Sequence, residues 1–402
     1  MSDKLIAAKL AQAKALIQKH DVDIWLTFVR ESAEGGDPVL PLILHGGLTW
    51  QSALLVTRSG KTVAILGNYD ADPLVASGDW DEVIPYVQSI KEPLIEALER
   101  HTLPGVIPKI AINYSTNDVK ADGLSYGMFL LLESYLKGTR FENSLVSAEQ
   151  VVMELRSVKT SEEILRMRSA IEETYRLFDL VSDSACKGTT EKDIYDLIHT
   201  EVDSLGYGYS WAEEGDPIVN SGPNSMMGHG VPSDSITLEH GHVFHIDLGI
   251  IKEGYSSDIQ RCWYVAESES EPIPEDVLKA AAAVNAAIDA SAAKLKPGVA
   301  GWEVDLAARE SIVASGYEEY MHAVGHQVGR VAHDGGGILA PRWDRYGTTP
   351  FMPVLKDQVY TLELGVVLPG RGYLGIEEMV LVTEIGCEFL TKRQTDIWRL
   401  VL

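Results

Sequence analysis

The chain has 402 residues, 45% hydrophobic and 23% charged, the profile of a globular protein of two or three domains rather than a disordered or fibrous one. Its formal net charge of -25 argues against nucleic acid or an anionic membrane as partner, since both require clustered Lys and Arg. Cys186, Cys262 and Cys387 are odd in number and far apart, which argues against a disulfide framework or a thiolate zinc site and fits a reducing cytoplasm.

The N-terminal stretch MSDKLIAAKLAQAKALIQKH is broken by Lys4, Lys9 and Lys14, and predicts an amphipathic helix rather than a signal peptide. No apolar run approaches the roughly 20 residues needed to span a bilayer. VDIWLTF predicts a strand, SALLVTRSGKTVAILG a hairpin about a Ser-Gly turn, EPLIEALERH a helix, KIAINYS a short strand and YGMFLLLESYLKG a helix. This alternation predicts an α/β unit over residues 1–153 in which no motif marks a site; the Gly-Gly pairs at 35–36 and 46–47 do not form a phosphate-binding pattern. Residues 154–402 predict an α+β unit. Thr160-Ser161-Glu162-Glu163 opens a long helix, three more helices follow in TEKDIYDLIHTEVDSLGY, PEDVLKAAAAVNAAIDASAAKL and GWEVDLAARESIVASGY, and antiparallel hairpins lie between and after them.

Two of those hairpins carry acids among apolar residues. HIDLGIIKEGYSSDIQRCWYV turns near Glu253 and Gly254, and folding it about a centre between Lys252 and Glu253 sets Asp247 opposite Asp258. VYTLELGVVLPGRGYLGIEEMVLVTE, folded about Gly370, sets Glu363 opposite Glu377. A single acid in a strand most often sits on a solvated face. Two opposed pairs are different: like charges about 4 Å apart repel by roughly 4 kcal/mol at an effective dielectric of 20, so each pair calls for a cation. One divalent ion would leave two of the four charges unbalanced, and two would balance them all. MHAVGHQVGRVAHDGGG adds imidazoles at His322, His326 and His333 in a glycine-rich stretch whose backbone can approach a crowded centre. Carboxylate oxygens with an imidazole and no thiolate favour Mn, Co, Zn or Fe(II) over copper or an iron–sulfur cluster.

In order and interval, Asp247, Asp258, His326, Glu363 and Glu377 resemble the five metal ligands of the pita-bread metallopeptidases, the group that includes methionine aminopeptidase, aminopeptidase P, prolidase and the metal-free creatinase. DLGIIKEGYSSDIQR, GHQVG, TLELG and GIEEMVLVTE are similar to that family's local motifs, and PIVNSGPNSMMGHGVPSD to its substrate-binding segment. The resemblance is strong over residues 155–402 and weaker over the first unit, which resembles a creatinase-type N-domain. It implies an α/β N-terminal domain followed by a pita-bread catalytic domain. It also implies two divalent ions per chain, with Asp258 and Glu377 bridging, Asp247 on one ion, and His326 with Glu363 on the other. The activity it implies is hydrolysis of the Xaa-Pro bond of dipeptides or short peptides by a hydroxide held between the ions. Glu363 would carry the proton, His229 and His333 would contact the substrate, and His322 would line the proline pocket. A cytoplasmic homodimer is expected.

Two departures stand out. Members of this branch commonly place Arg two residues before the last ligand, where this chain has Gly375, and the segment 333–353 is longer than usual. Arg342 and Arg345 in that segment either line the substrate cleft, where they could bind a terminal carboxylate, or belong to a surface excursion. The departures keep open a creatinase-like amidinohydrolase, a peptidase with no proline requirement, and a catalytically silent binding protein.

Overall fold

The structure, a computed structural model, describes residues 4–226 and 231–402. The chain divides into two compact units, Met1–Arg156 and Ser157–Leu402. The first contains α1 (Lys4–Lys19), β1 (Ile24–Val29), α2 (Leu40–Ile43), β2 (Ser52–Thr57), β3 (Thr62–Gly67), α3 (Asn68–Ser77), β4 (Glu82–Tyr86), α4 (Lys91–His101), β5 (Ile110–Ile112), α5 (Tyr126–Leu136), β6 (Leu145–Ser147) and α6 (Glu149–Ser157). Its six strands form one sheet in the order β4-β3-β2-β1-β5-β6. Every residue of β1, β2 and β3 is buried, as in a sheet covered on both faces. Leu94 and Leu98 of α4 and Met128 and Leu132 of α5 close one core on Ile24, Leu26 and Phe28. The sequence patterns left α3 and β4 unread because each contains a proline, Pro73 and Pro85. β4 is the sheet's edge strand, where a proline costs little. The sequence also marked no site in this unit, yet a cavity of about 270 Å³ opens where the chain leaves β1, lined in part by Arg30, Asp37 and Gly123.

The second unit contains α7 (Ser161–Ser184), α8 (Glu191–Leu205), β7 (Gly208–Tyr209), β8 (Ile218–Ser221), β9 (Val243–Leu248), β10 (Ile250–Lys252), β11 (Tyr255–Ser256), β12 (Ile259–Ala266), α9 (Glu275–Lys294), α10 (Gly301–Ala314), β13 (Val359–Leu368), β14 (Gly372–Val382), β15 (Cys387–Phe389) and β16 (Trp398–Val401). Thr160 and Glu163 form the capping box that starts α7, each satisfying a backbone N–H of the first turn. Three sheets result, β11-β10-β7, β16-β12-β9-β8 and β13-β14-β15. α9 packs on α10 and β13. Its buried Ala280, Ala281, Ala283 and Ala287 keep the side-chain layer thin, so the helix lies close to its neighbours.

β14 packs against both β9 and β12, which brings the two acid-bearing hairpins together. The β13–β14 register pairs Glu363 with Glu377, as expected from a turn centred on Gly370. The other hairpin departs from expectation. Lys252 pairs with Tyr255, so Glu253 and Gly254 form a two-residue turn with φ of 52° and 75°, the left-handed pair that type I′ hairpins use. That turn is centred one residue later than the sequence reading placed it, and Asp247 therefore faces Gln260 rather than Asp258. Moving the centre by one residue moves each partner by two, so Asp258 stays on the face of Asp247 and is displaced along the ribbon.

Candidate metal centre

His326 lies in the segment between α10 and β13 and is tied to β13 twice. Its carbonyl accepts from Thr361 N at 2.9 Å, and its N–H donates to Thr361 Oγ1 at 3.1 Å. A Cβ on the preceding Gly325 would stand 2.1 Å from the Thr361 carbonyl oxygen, so the close approach depends on glycine there. His326 Nδ1 donates to the Ala332 carbonyl at 3.1 Å, which orients the ring so that Nε2 faces the acids. Nε2 lies 3.3 Å from Glu363 Oε1 and 3.5 Å from Asp258 Oδ2. One ligand atom each from Asp258, His326 and Glu377 lie within 4.8 Å of one another.

Electrostatics confirm how crowded the acids are. Burial, followed by repulsion from Asp247 and Glu363, pushes the Asp258 carboxyl well above the ordinary range. Burial and repulsion from Asp258, Glu363 and Asp247 do the same to Glu377. Asp247 is pushed up to about 8 by burial and by Glu363. Glu363 moves the other way. Burial would raise it, but the hydrogen bond to His326 and the fields of His326 and His333 outweigh burial and hold it below the usual value. Asp258 and Glu377 bring carboxylate oxygens within 4.8 Å of each other, a proximity that favours a shared proton or cation.

The residues fit a metal ion. Among the described residues, Asp247 Oδ1 and Glu377 Oε2 are buried with no hydrogen-bond partner, a costly arrangement for acids unless a cation satisfies them. The donor set, carboxylate oxygens with one imidazole and no thiolate, is one that divalent cations accept.

The other residues nominated from the sequence are placed as follows. His333 is exposed, its ring edge-on to His326 with centroids 4.2 Å apart. His322 is exposed and tilts against Tyr320 at 5.6 Å, while its carbonyl accepts from Arg309. Arg342 stacks on Trp302 at 4.5 Å. Arg345 donates to the Met321 carbonyl at 2.6 Å and to the Tyr346 hydroxyl at 3.0 Å, and lies over Trp343. None of these contacts of His322, Arg342 and Arg345 reaches the carboxylates. His229 lies outside the described residues.

Several residues with a part in the site went unread. Gln260 donates through Nε2 to Glu363 Oε2 at 3.1 Å, and its Oε1 sits 3.1 Å from His245 Nε2. Burial pushes that imidazole down to about 4, so it is neutral at ordinary pH. Asp216 accepts from Ser210 N at 2.9 Å and Gly249 N at 3.3 Å, steadying the link just after Asp247. Arg261, fully buried, donates to the Glu377 carbonyl at 2.7 Å and to Glu378 Oε2 at 2.9 Å, anchoring the back of β14. Tyr373 and Gln260 fill the space beside Gly375, where a Cβ would meet Tyr373 Cε1 at 2.5 Å and Gln260 Oε1 at 2.8 Å. The signal for Gln260 was the turn: centring it on Glu253-Gly254 sets residue 260 opposite 247.

Fold and donor set together define a class, a pita-bread hydrolase with a carboxylate-rich candidate metal centre. Residues 165–384 match the family model described as metallopeptidase family M24. The chain is 31% identical over 332 residues to an Xaa-Pro dipeptidase of Pyrococcus furiosus, covering 79% of this chain and 87% of that protein. Among solved structures it resembles an X-Pro aminopeptidase from Thermotoga maritima, at 26% identity and a TM-score of 0.69 over 98% of this chain and 99% of that one. Dipeptidase PepE from Mycobacterium ulcerans, 24% identical with a TM-score of 0.74 over 99% of each chain, shares the fold. The chain belongs to metallopeptidase family M24, and it is a peptidase.

Proposed function

We propose that this chain is a dinuclear metal-dependent peptidase that hydrolyses the Xaa-Pro bond of dipeptides or short peptides. The observation that carries the reading is the convergence of Asp258, His326 and Glu377, with Glu363 beside His326 and Asp247 within their field, which leaves Asp247 Oδ1 and Glu377 Oε2 buried without a hydrogen-bond partner. The relatives named as an Xaa-Pro dipeptidase and an X-Pro aminopeptidase support the bond assignment.

Asp258 and Glu377 would be shared between the ions, Asp247 would complete one set, and His326 with Glu363 the other. Two divalent ions there would polarise the scissile carbonyl and make a water nucleophilic near neutral pH. Glu363 is suited to move the proton from that water to the leaving imino nitrogen. Thr361 Oγ1 at 3.4 Å and Gln260 Nε2 hold its two oxygens. His333, exposed beside His326, would touch the substrate, and His229 is assigned the same role from the motif around it. The proline pocket is assigned to His322 on the family resemblance. The three free thiols support a cytoplasmic setting, and a homodimer is proposed because two-fold dimers are the commonest soluble oligomers. No described helix is long and apolar enough to cross a membrane.

The test is an assay of metal-loaded protein on Xaa-Pro dipeptides, Xaa-Pro-Xaa tripeptides and creatine. Turnover confined to the proline peptides supports the reading. Absence of proline-peptide turnover with Mn, Co and Zn defeats it.

A further inference from the structure

Asn220 on β8, His245 on β9 and Gln260 on β12 are buried on one face of three adjacent strands. Asn220 pairs with His245, and Gln260 pairs with Asp247, two residues further along β9. The three side chains join end to end. Gln260 Nε2 donates to Glu363 Oε2 at 3.1 Å, and Gln260 Oε1 faces His245 Nε2 at 3.1 Å. Across the ring, Nδ1 faces Asn220 Oδ1 at 3.2 Å, and Asn220 Nδ2 donates to the Met226 carbonyl at 2.9 Å and to Ser225 Oγ at 3.0 Å. Ser225 Oγ donates in turn to Glu191 Oε1 at 2.6 Å, at the start of α8. The row therefore runs from the carboxylate assigned to carry the proton to Ser225 and Met226, inside the stretch that resembles a substrate-binding segment.

The polarity of the row is set at its two ends. A carboxylate and a backbone carbonyl only accept, so each amide turns its nitrogen outward and its oxygen onto His245. The imidazole stands between two amide oxygens, with an acceptor for its hydrogen on either side. Gly375 makes room for the inner amide, since a Cβ there would stand 2.8 Å from Gln260 Oε1. Glu191 secures the outer end, accepting from Ser221 N at 2.8 Å as well as from Ser225. Buried polar groups linked in this way act as a unit, because each is oriented by the next and leaving one unpaired is costly. Loss of Asn220 would free one side of the ring, and through it the amide that fixes Glu363 Oε2.

We propose that Asn220, His245 and Gln260 form a positioning relay that ties the orientation of Glu363 to the segment at Ser225 and Met226, so that Asn220 acts on the proton-carrying carboxylate without touching it. The kinetic part rests on the Xaa-Pro reading above. The experiment is a double-mutant cycle on the full chain with Asn220→Ala, Gln260→Leu and the pair of them, read by calorimetric titration of the metal-free protein with Zn or Mn and by kcat and KM on Ala-Pro. Each single variant is expected to weaken metal affinity about 10-fold and to lower kcat about 10-fold or more with KM little changed, as when a group that orients a ligand is lost. The double variant should be about as impaired as Gln260→Leu alone, because a relay already broken has nothing left to transmit. Asn220→Ser, whose hydroxyl is too short to span His245 and Met226, carries the same test should the alanine variant fold poorly. Wild-type affinity and kcat in the Asn220 variants, or losses that multiply to about 100-fold in the double variant, overturn the relay. Absence of Ala-Pro turnover by the loaded wild-type protein counts against the Xaa-Pro reading, while the calorimetric cycle still decides this inference. A wild-type protein that takes up no metal overturns both.

Discussion

At the scale of single residues, the acids of the centre are held in an environment that does not suit them without cations, and this has a signed consequence for stability. Asp247 is pushed up to about 8, and Asp258 and Glu377 are also raised, all chiefly by burial. For an acid whose folded value exceeds its unfolded value of about 4, the native state holds more protons across the interval between them. Its contribution is fully present below pH of about 4 and is lost as pH rises through the folded value. Chelator-treated protein should therefore lose thermal stability steadily between pH 5 and 8.5, while metal-loaded protein should not. A flat midpoint in the chelated protein would show that the acids are solvated. Asp258→Asn extends the argument, because it removes one charge from the cluster without changing its size. It should raise the midpoint of the chelated protein at pH 8 while abolishing peptidase activity. Retention of near wild-type turnover would remove Asp258 from the bridging role.

At the scale of elements, the legible parts were those governed by periodicity. The β13–β14 pairing could be read because Pro369 and Gly370 lie midway between two long alternating strands, and Glu363 faces Glu377 as that symmetry requires. In the first hairpin the turn type decides the register, and composition near Glu253 admits more than one centre. Parity survived the error: Asp258 stays on the face of Asp247 although the partner of Asp247 was misassigned. Gln260 and Asp216 were not legible for a different reason. Each acts through a contact that exists only once strands distant in sequence are packed, as with the amide of Gln260 on Glu363. The histidine segment yields a prediction at this scale. Gly325→Ala sets a methyl 2.1 Å from the Thr361 carbonyl, so the segment must lift from β13 and carry His326 with it. Affinity for the ion held by His326 should fall about 10-fold or more, as when groups that support a ligand are disturbed, with the far-ultraviolet dichroism unchanged. Calorimetric titration with Zn or Mn measures this, and unaltered affinity would show that the close approach does not position the imidazole.

At the scale of the whole molecule, the two units build separate cores, one on β1–β3 and β5 with α4 and α5, the other on β12–β14 with α9 and α10. All five nominated ligands belong to the second, Ser157–Leu402. Ions that bind only the folded site stabilise by mass action, and their effect should concentrate in the strands that supply the ligands. Elemental analysis of loaded protein should find two ions per chain, since a single divalent ion leaves two of the four negative charges uncompensated. Hydrogen exchange with and without metal should then separate the units. Amides of β9, β12, β13, β14 and residues 321–337 should gain protection on loading, while those of β1, β2, β3 and β5 should not. Equal gains in both units would mean that the ions report on a global change of state rather than on a local electrostatic clamp. One ion per chain, with protection confined to the segment around His326, would mean that Asp247 is compensated by something other than metal.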